Sequence, residues 1–407
     1  MVTVGEPAPE MPVPRGCPYA PPAEHTRLRE EAPVSRIMLP TGKTAWAVTR
    51  HEDIRSVLTD PRFSSDRAHP DFPALSPARA DPPPNRMRPS MIMMDPPDHR
   101  PARRSVVGEF TVRQIAAMRP RIQQITDTCI DTMLAGPRPV DLVQALSLPV
   151  PSLVICGLLG VPYADHDFFQ ERSATLLNLT STPEEIDKAV VALKSYLDGL
   201  IAEKEKAPTD DLLSRQILKR RGTGGAASEE DREDVASLAL LLLVAGHETT
   251  ANMISLGTIA LLERPDDISA IREDPGKTPA AIEELLRYFT IAEFATSRLA
   301  KEDVEIGGAL IRAGEAVLTF GNTANRDPEV FENPDELDIE RTANHHIAFG
   351  FGAHQCLGQN LARIELQIVF DTLFRRIPGL ELAVPFDELT FKDDSNVYGV
   401  RRLPVTW

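Results

Sequence analysis

Across residues 100–287 apolar positions return every three or four residues, so this stretch predicts a succession of helices. The longest covers about 229–261, and Ser228 with Asp231 has capping-box spacing at its start. Residues 142–159 are apolar on several faces and carry Pro149 and Pro151, which predicts a buried, interrupted segment. Ahead of this block, residues 1–35 read as an extended arm with one short helix near 24–31. Residues 44–49 have strand composition, with 37–39 as a pairing partner. After Ile291 the period shortens: 304–306, the turn at Gly307 and Gly308, and 316–320 read as β structure. A last helix, 357–375, follows a glycine-rich loop, and 380–407 reads as strands and turns. No repeat or linker divides the chain. The expectation is one helix-rich domain over 1–407, mainly α with small β-sheets.

Composition narrows the function classes. The 407 residues are 42% apolar and 26% charged, enough to bury a core. The net charge of −16 argues against nucleic acid or an anionic membrane surface as the main partner. The longest apolar stretch, 235–245, is about half the ~20 residues of a membrane span. The first residues lack a basic start followed by an apolar run. A cytoplasmic protein without membrane attachment is expected. Four widely spaced cysteines make neither a disulfide framework nor a zinc site. Of the 36 prolines, a cluster within 70–97 predicts a long irregular loop. Lys219, Arg220 and Arg221 read as a solvated helix end. Gly222, Gly224 and Gly225 follow no strand, so a nucleotide-binding reading is poor.

The sharpest chemical signal is Phe349-Gly350-Phe351-Gly352-Ala353-His354-Gln355-Cys356-Leu357-Gly358. Gly350, Gly352 and Gly358 allow close backbone approach to a flat ligand and positive φ. Cys356 lies just before a predicted helix, whose free N–H groups favour a thiolate, and a thiolate can be the axial ligand of haem iron. A lone cysteine at such a place is ordinarily a packing residue; the length of the pattern sets this one apart. The stretch resembles the haem-binding loop of the cytochrome P450 monooxygenases, and the resemblance extends over nearly the whole chain. It implies a cytochrome P450-like fold and haem b with an axial cysteine thiolate, Cys356 being the metal ligand and Phe349, Gly350 and Gly358 part of its cradle.

Further residues gain meaning beside that loop. In Ala245-Gly246-His247-Glu248-Thr249-Thr250, Thr249 can bond the carbonyl of Ala245, distorting the helix into a groove for dioxygen and a water. Glu248 and Thr249 then match the family's acid–alcohol pair, which relays protons. Taken alone, the hexapeptide is more often a polar kink in a helix, and His247 is a packing or hydrogen-bonding residue rather than a metal ligand. Glu284 and Arg287 share a helix face, and the resemblance pairs them with Arg341 in a buried support for the cysteine loop. His99, Arg103, Arg298 and His354 match the family's cationic contacts to the two haem propionates. Pro101, where many relatives have another residue, puts the start of the His99 helix at or beside itself.

The resemblance draws a substrate pocket from 72–94, 176–180, 240–244, 291–295 and 396–397, mostly apolar, so a hydrophobic small molecule is expected. Met87, Met91, Met93 and Met94 either form a soft wall or fill core gaps. Glu293 either bonds a substrate hydroxyl or points into solvent. The chain has no flavin or nicotinamide module, which implies electrons from a ferredoxin with its reductase. The nearest likeness is to soluble actinomycete hydroxylases of macrolides, secosteroids and statin precursors such as compactin. Two other readings stand beside an oxygen-dependent monooxygenase: a peroxide-driven haem-thiolate hydroxylase, against which Glu248 and Thr249 argue, and a non-enzymatic haem sensor or carrier.

Overall fold

The protein is described from a computed structural model, which covers residues 8–79, 87–221, 227–341 and 345–407. Gly222, Gly224 and Gly225 lie outside the described residues. The first third of the chain holds α1 (Ala23–Glu31), β1 (Val34–Met38), β2 (Thr44–Val48), α2 (His51–Thr59), β3 (Phe63–Ser64), α3 (His99–Val106) and α4 (Val112–Ala135). The helical middle holds β4 (Val140–Asp141), α5 (Pro149–Leu159), α6 (His166–Leu177), α7 (Pro183–Lys206), α8 (Leu212–Arg221), α9 (Glu229–Leu262), α10 (Pro265–Glu273) and α11 (Thr278–Phe289). The final part holds β5 (Arg298–Ala300), β6 (Val304–Ile306), β7 (Ala309–Ile311), β8 (Ala316–Thr319), α12 (Gly321–Ala324), α13 (Gln359–Arg376), β9 (Glu381–Leu382) and β10 (Pro404–Thr406).

The long central helix forms as its pattern predicts. Ser228 accepts from the N–H of Asp231, and the Asp231 carboxylate accepts from the N–H of Ser228. From Val235 onward α9 is buried on most faces, because α5, α6, α7, α8, α11 and α13 pack around it. It is long and apolar enough to cross a membrane, but most of its apolar window is buried inside the fold. The two prolines expected to interrupt 142–159 sit in the first turn of α5, where the missing N–H costs nothing; Val143–Ser147 ahead of them wind as a π-helix.

The sheets draw on distant parts of the chain. β1 pairs antiparallel with β2, Ile37 opposite Ala45, and β2 pairs parallel with β8, Ala45 opposite Ala316. The full order is β1-β2-β8-β5-β3. Inward residues such as Ile37, Ala45 and Leu318 form one small core, and Val48, Ile54 and Val317 another. β10 near the C-terminus pairs with both β4 and β9. The helical core and these sheets bracket the segments that carry Cys356 and Thr249.

Candidate active site

The site is built on the middle of α9 and on the loop ahead of α13. The Thr249 hydroxyl donates to the Ala245 carbonyl at 2.8 Å, the bond its spacing predicts. The helix nevertheless runs uninterrupted through this turn. The groove expected from a distorted turn is therefore not made by a helix break, since a carbonyl with two lone pairs can serve Thr249 and the helix together. Gly246 serves close packing: a Cβ there would lie 3.0 Å from Ile155 of α5. Ala245 is exposed although its helix is buried on most sides. His247 is buried and shares its Nδ1 with the Leu243 carbonyl at 2.6 Å, and burial holds its pKa below the ordinary range. It packs and hydrogen-bonds within the helix.

The cysteine loop closes on itself. The Cys356 N–H donates to Phe349 O at 2.8 Å, and Gly350 N–H to Ile347 O at 2.8 Å. Gly350 and Gly352 take positive φ, 69° and 73°, and a Cβ on Gly352 would lie 2.6 Å from the Leu58 carbonyl of α2. Gly358 corrects the expectation. Its φ is −83°, because it is the N-cap of α13, which starts at Gln359 rather than 357. Cys356 keeps accessible surface, yet its thiol is enclosed closely enough to be desolvated, as at the floor of a cleft. Burial pushes the thiol up; the Gly358 N–H, Arg103, Arg363 and the Gln359 N–H oppose it.

Around this floor stands a group of cations short of acids. His99 begins α3, and Pro101 is accommodated two residues later within the first turn. The rings of His99 and His354 lie 4.0 Å apart at 30°. His99 Nε2 is buried without a hydrogen-bond partner. Burial, then His99 and Arg298, push His354 down to about 3. Among the described residues Arg298, 5% exposed, donates to the carbonyls of Thr296 and Ser297, and burial with Arg67 nearby lowers it to about 10. Arg103 donates to Gln355 O at 2.6 Å, beside Cys356. Asp95 is the acid facing His99, His354 and Arg298, and it is occupied by Ser64, the Ser65 N–H and, at 3.7 Å, Lys301. A buried orphan imidazole, an arginine with no carboxylate, a positive-φ glycine cradle and an accessible thiol suit a flat dianionic macrocycle whose metal takes a thiolate. Haem fits these residues. Cys356 would hold its iron, with His99, Arg103, Arg298 and His354 toward its carboxylates.

Behind the loop, Glu284 and Arg287 are fully buried and doubly bonded, 2.7 Å for each contact. Arg341 donates to the same carboxylate at 3.0 Å, so the three residues meet as expected. Burial alone would raise the Glu284 carboxyl; bonds from Arg287, the Asp338 N–H and the charge of Arg341 bring it below its ordinary range. A second support escaped the sequence reading. Arg363 of α13 forks onto Glu283 at 2.5 and 2.8 Å, His346 adds a contact at 3.1 Å, and the guanidinium lies 4.6 Å over the Phe349 ring. The adjacent Glu283 and Glu284, with an arginine seven residues past the cysteine, were the available signal.

Two pocket expectations change. Glu293 does not enter solvent: its carboxylate lies 2.9 Å from His25 and 3.7 Å from Arg15 of the N-terminal arm, at 12% exposure. Met91 joins the core, whereas Met87, Met93 and Met94 are half-buried. The segments 176–180, 291–295 and 396–397 do meet, through Asn396 N–H to Leu177 O and Tyr398 N–H to Ile291 O.

The cytochrome P450 family model matches residues 21–377. The chain is 57% identical to cytochrome P450 MoxA from Nonomuraea recticatena, and the two structures superpose with a TM-score of 0.87 over 98% of each chain. It is 50% identical over 405 residues to cytochrome P450 105A3 of Streptomyces carbophilus, covering 98% of this chain and 96% of that one. It is 46% identical over 405 residues to the vitamin D3 dihydroxylase of Streptomyces griseolus, covering 98% and 97%.

Proposed function

The chain belongs to the cytochrome P450 family, the haem-thiolate monooxygenases, and on that premise we propose that it hydroxylates a C–H bond of a bulky hydrophobic small molecule. One oxygen atom enters the substrate and the other leaves as water, with two electrons and two protons consumed. Haem, when bound, supplies the oxygen chemistry. The protein's own contribution is to hold a thiolate at Cys356, to carry protons along Glu248 and Thr249, and to exclude water. The observation that carries this reading is the accessible thiol of Cys356 set among N–H groups and acid-poor cations, on the loop leading into α13, which packs against the helix that bears Thr249. A secosteroid, a macrolide or a statin precursor such as compactin is the substrate class we propose, and one relative is named for vitamin D3.

Electrons come from a ferredoxin and its reductase, in the cytoplasm. Arg100, Arg104 and Lys219 line an open groove of about 680 Å³ beside α3, and Arg100 and Arg104 pair with no acid among the described residues. These cations suit an acidic partner close to Arg103 and hence to Cys356. The test is the spectrum of reduced protein under carbon monoxide, followed by turnover of compactin and vitamin D3 with a ferredoxin system. A strongly red-shifted Soret band that Cys356→Ala abolishes is expected. An ordinary Soret position in the parent protein refutes the thiolate assignment. Full turnover on peroxide alone moves the reading to a peroxide-driven hydroxylase.

A further inference from the structure

The segment that follows β3 carries two arginines whose charge nothing nearby neutralises. Arg67 donates to Ala295 O at 3.0 Å, and Arg79 donates to Leu176 O at 2.6 Å and to Asn178 O at 3.1 Å. One segment thus lays a guanidinium against 291–295 and a second against 176–180. Arg67 keeps accessible surface, yet the chain encloses it closely enough to desolvate its charge, the combination seen at Cys356. Ala295, which it bonds, is accessible as well. Both features place Arg67 on the wall of an enclosed space. Its remaining N–H groups make no bond among the described residues. Arg79 is half-buried, and its Nε is buried without a hydrogen-bond partner.

The charges here do not balance. Among the described residues no acid pairs with either arginine; the charge that acts on Arg67 is that of Arg79, and it repels. Acids of the neighbouring segments are taken: Asp71 by Lys43, Glu293 by Arg15 and His25, and Asp394 by Arg401. The two carboxylates of haem do not fill the gap either. Arg103 and Arg298 already match them in charge, and burial holds His99 and His354 below the ordinary histidine range, where they add none. An arginine does not shed its proton, so an enclosed, unpaired guanidinium is costly until an anion reaches it. A carboxylate suits the planar fork, which can bond both of its oxygens.

We propose that Arg67 and Arg79 form a carboxylate subsite of the substrate pocket, so that the substrate is a hydrophobic carboxylic acid bound as its anion. The inference rests on the monooxygenase reading above and narrows it. A neutral secosteroid leaves both guanidiniums unpaired, whereas the ring-opened acid of compactin supplies the anion. A mere staple of the loop would need donors for the carbonyls of 176, 178 and 295, and not charge.

The experiment measures the affinity of the haem-loaded enzyme for two matched pairs by equilibrium dialysis: ring-opened compactin against its lactone, and decanoate against decan-1-ol. The variants are Arg67→Gln, Arg79→Gln, their double, and Arg67→Lys. In the parent the acid of each pair should bind at least tenfold more tightly than its neutral partner, the lower end for a charge-assisted hydrogen bond. That preference should drop in each glutamine variant, fall to within threefold in the double, and be partly kept in Arg67→Lys, which retains the charge without the fork. Equal affinity within both pairs, or no binding of either acid, overturns the proposal. So does a tenfold preference that survives the substitutions, since a staple, or a contact to haem, would weaken both members of a pair alike and leave their ratio intact. If the double variant fails to take up haem, the ratio in the single variants decides. Dialysis reads binding without turnover, so a parent lacking the thiolate spectrum overturns the monooxygenase reading and is distinguishable from failure of the subsite.

Discussion

Glu284→Gln isolates what the buried triad contributes, since the amide keeps the shape of the carboxylate and removes only its charge. Arg287 is fully buried and Arg341 is 10% exposed at the side chain, so the variant leaves two guanidiniums facing one neutral group. Breaking a buried pair in this way costs about 3–5 kcal/mol, a large share of the ~5–15 kcal/mol by which domains are stable. Arg341→Met in the parent should cost about 1.5–3 kcal/mol for its charged hydrogen bond. In the Glu284→Gln background the same change removes a repelling cation. What then remains is the smaller loss of its bond to Glu332 O at 2.7 Å. The two substitutions should therefore couple by about 1.5 kcal/mol or more. Urea midpoints of the haem-loaded protein, read by both far-ultraviolet circular dichroism and haem absorbance, give the cycle. A coupling below about 0.5 kcal/mol would show that Arg341 acts through the backbone of 332–336 and not through the carboxylate, and the charge argument would fall.

Three further outcomes are expected. Arg363 and His346 pull Glu283 from its ordinary 4.5 to about 2 against the opposing effect of burial, a drop worth about 3 kcal/mol. Because the folded value is depressed, this stability is complete above about pH 4.5 and is lost as pH falls toward 2. Acid unfolding of Glu283→Gln should thus begin from a lower stability and be shallower in that window. Thr249→Ala should keep haem and ligand binding while diverting reducing equivalents to hydrogen peroxide, measured as peroxide formed per electron pair; unchanged coupling would remove Thr249 from the proton path. Gly352→Ala should cost about 1–3 kcal/mol from positive φ alone and more from the 2.6 Å approach to Leu58 O, read as a lower midpoint for haem release.

Elements whose signal is local were legible in the sequence. The capping box at Ser228 and the apolar run behind it marked α9 to within a residue at its C-terminal end, and Thr249 found the carbonyl its spacing named. The meeting of Glu284, Arg287 and Arg341 came from family likeness, because a glutamate and arginine three apart are ordinarily a surface pair. What escaped depends on residues far apart in the chain. Glu293 was an unexplained acid until His25 and Arg15, more than 260 positions earlier, were folded beside it. Arg67 and Arg79 carry no local mark at all; only the fold sets them against Ala295, Leu176 and Asn178. The φ of Gly358 was misread because composition announces a glycine's freedom and not whether the helix start uses it.

The parallel pairing of β2 with β8 has a bearing on synthesis. Residues 44–48 leave the ribosome early, but the strand that completes them ends at Thr319. At ~5–20 residues per second, roughly ten seconds to a minute separates the two. Through that interval the apolar faces of β1 and β2 have no permanent neighbour, and Cys356 has not yet been made. The nascent chain therefore assembles its helical middle first and acquires its N-terminal sheet and its haem-gripping loop close together, in the last quarter of translation.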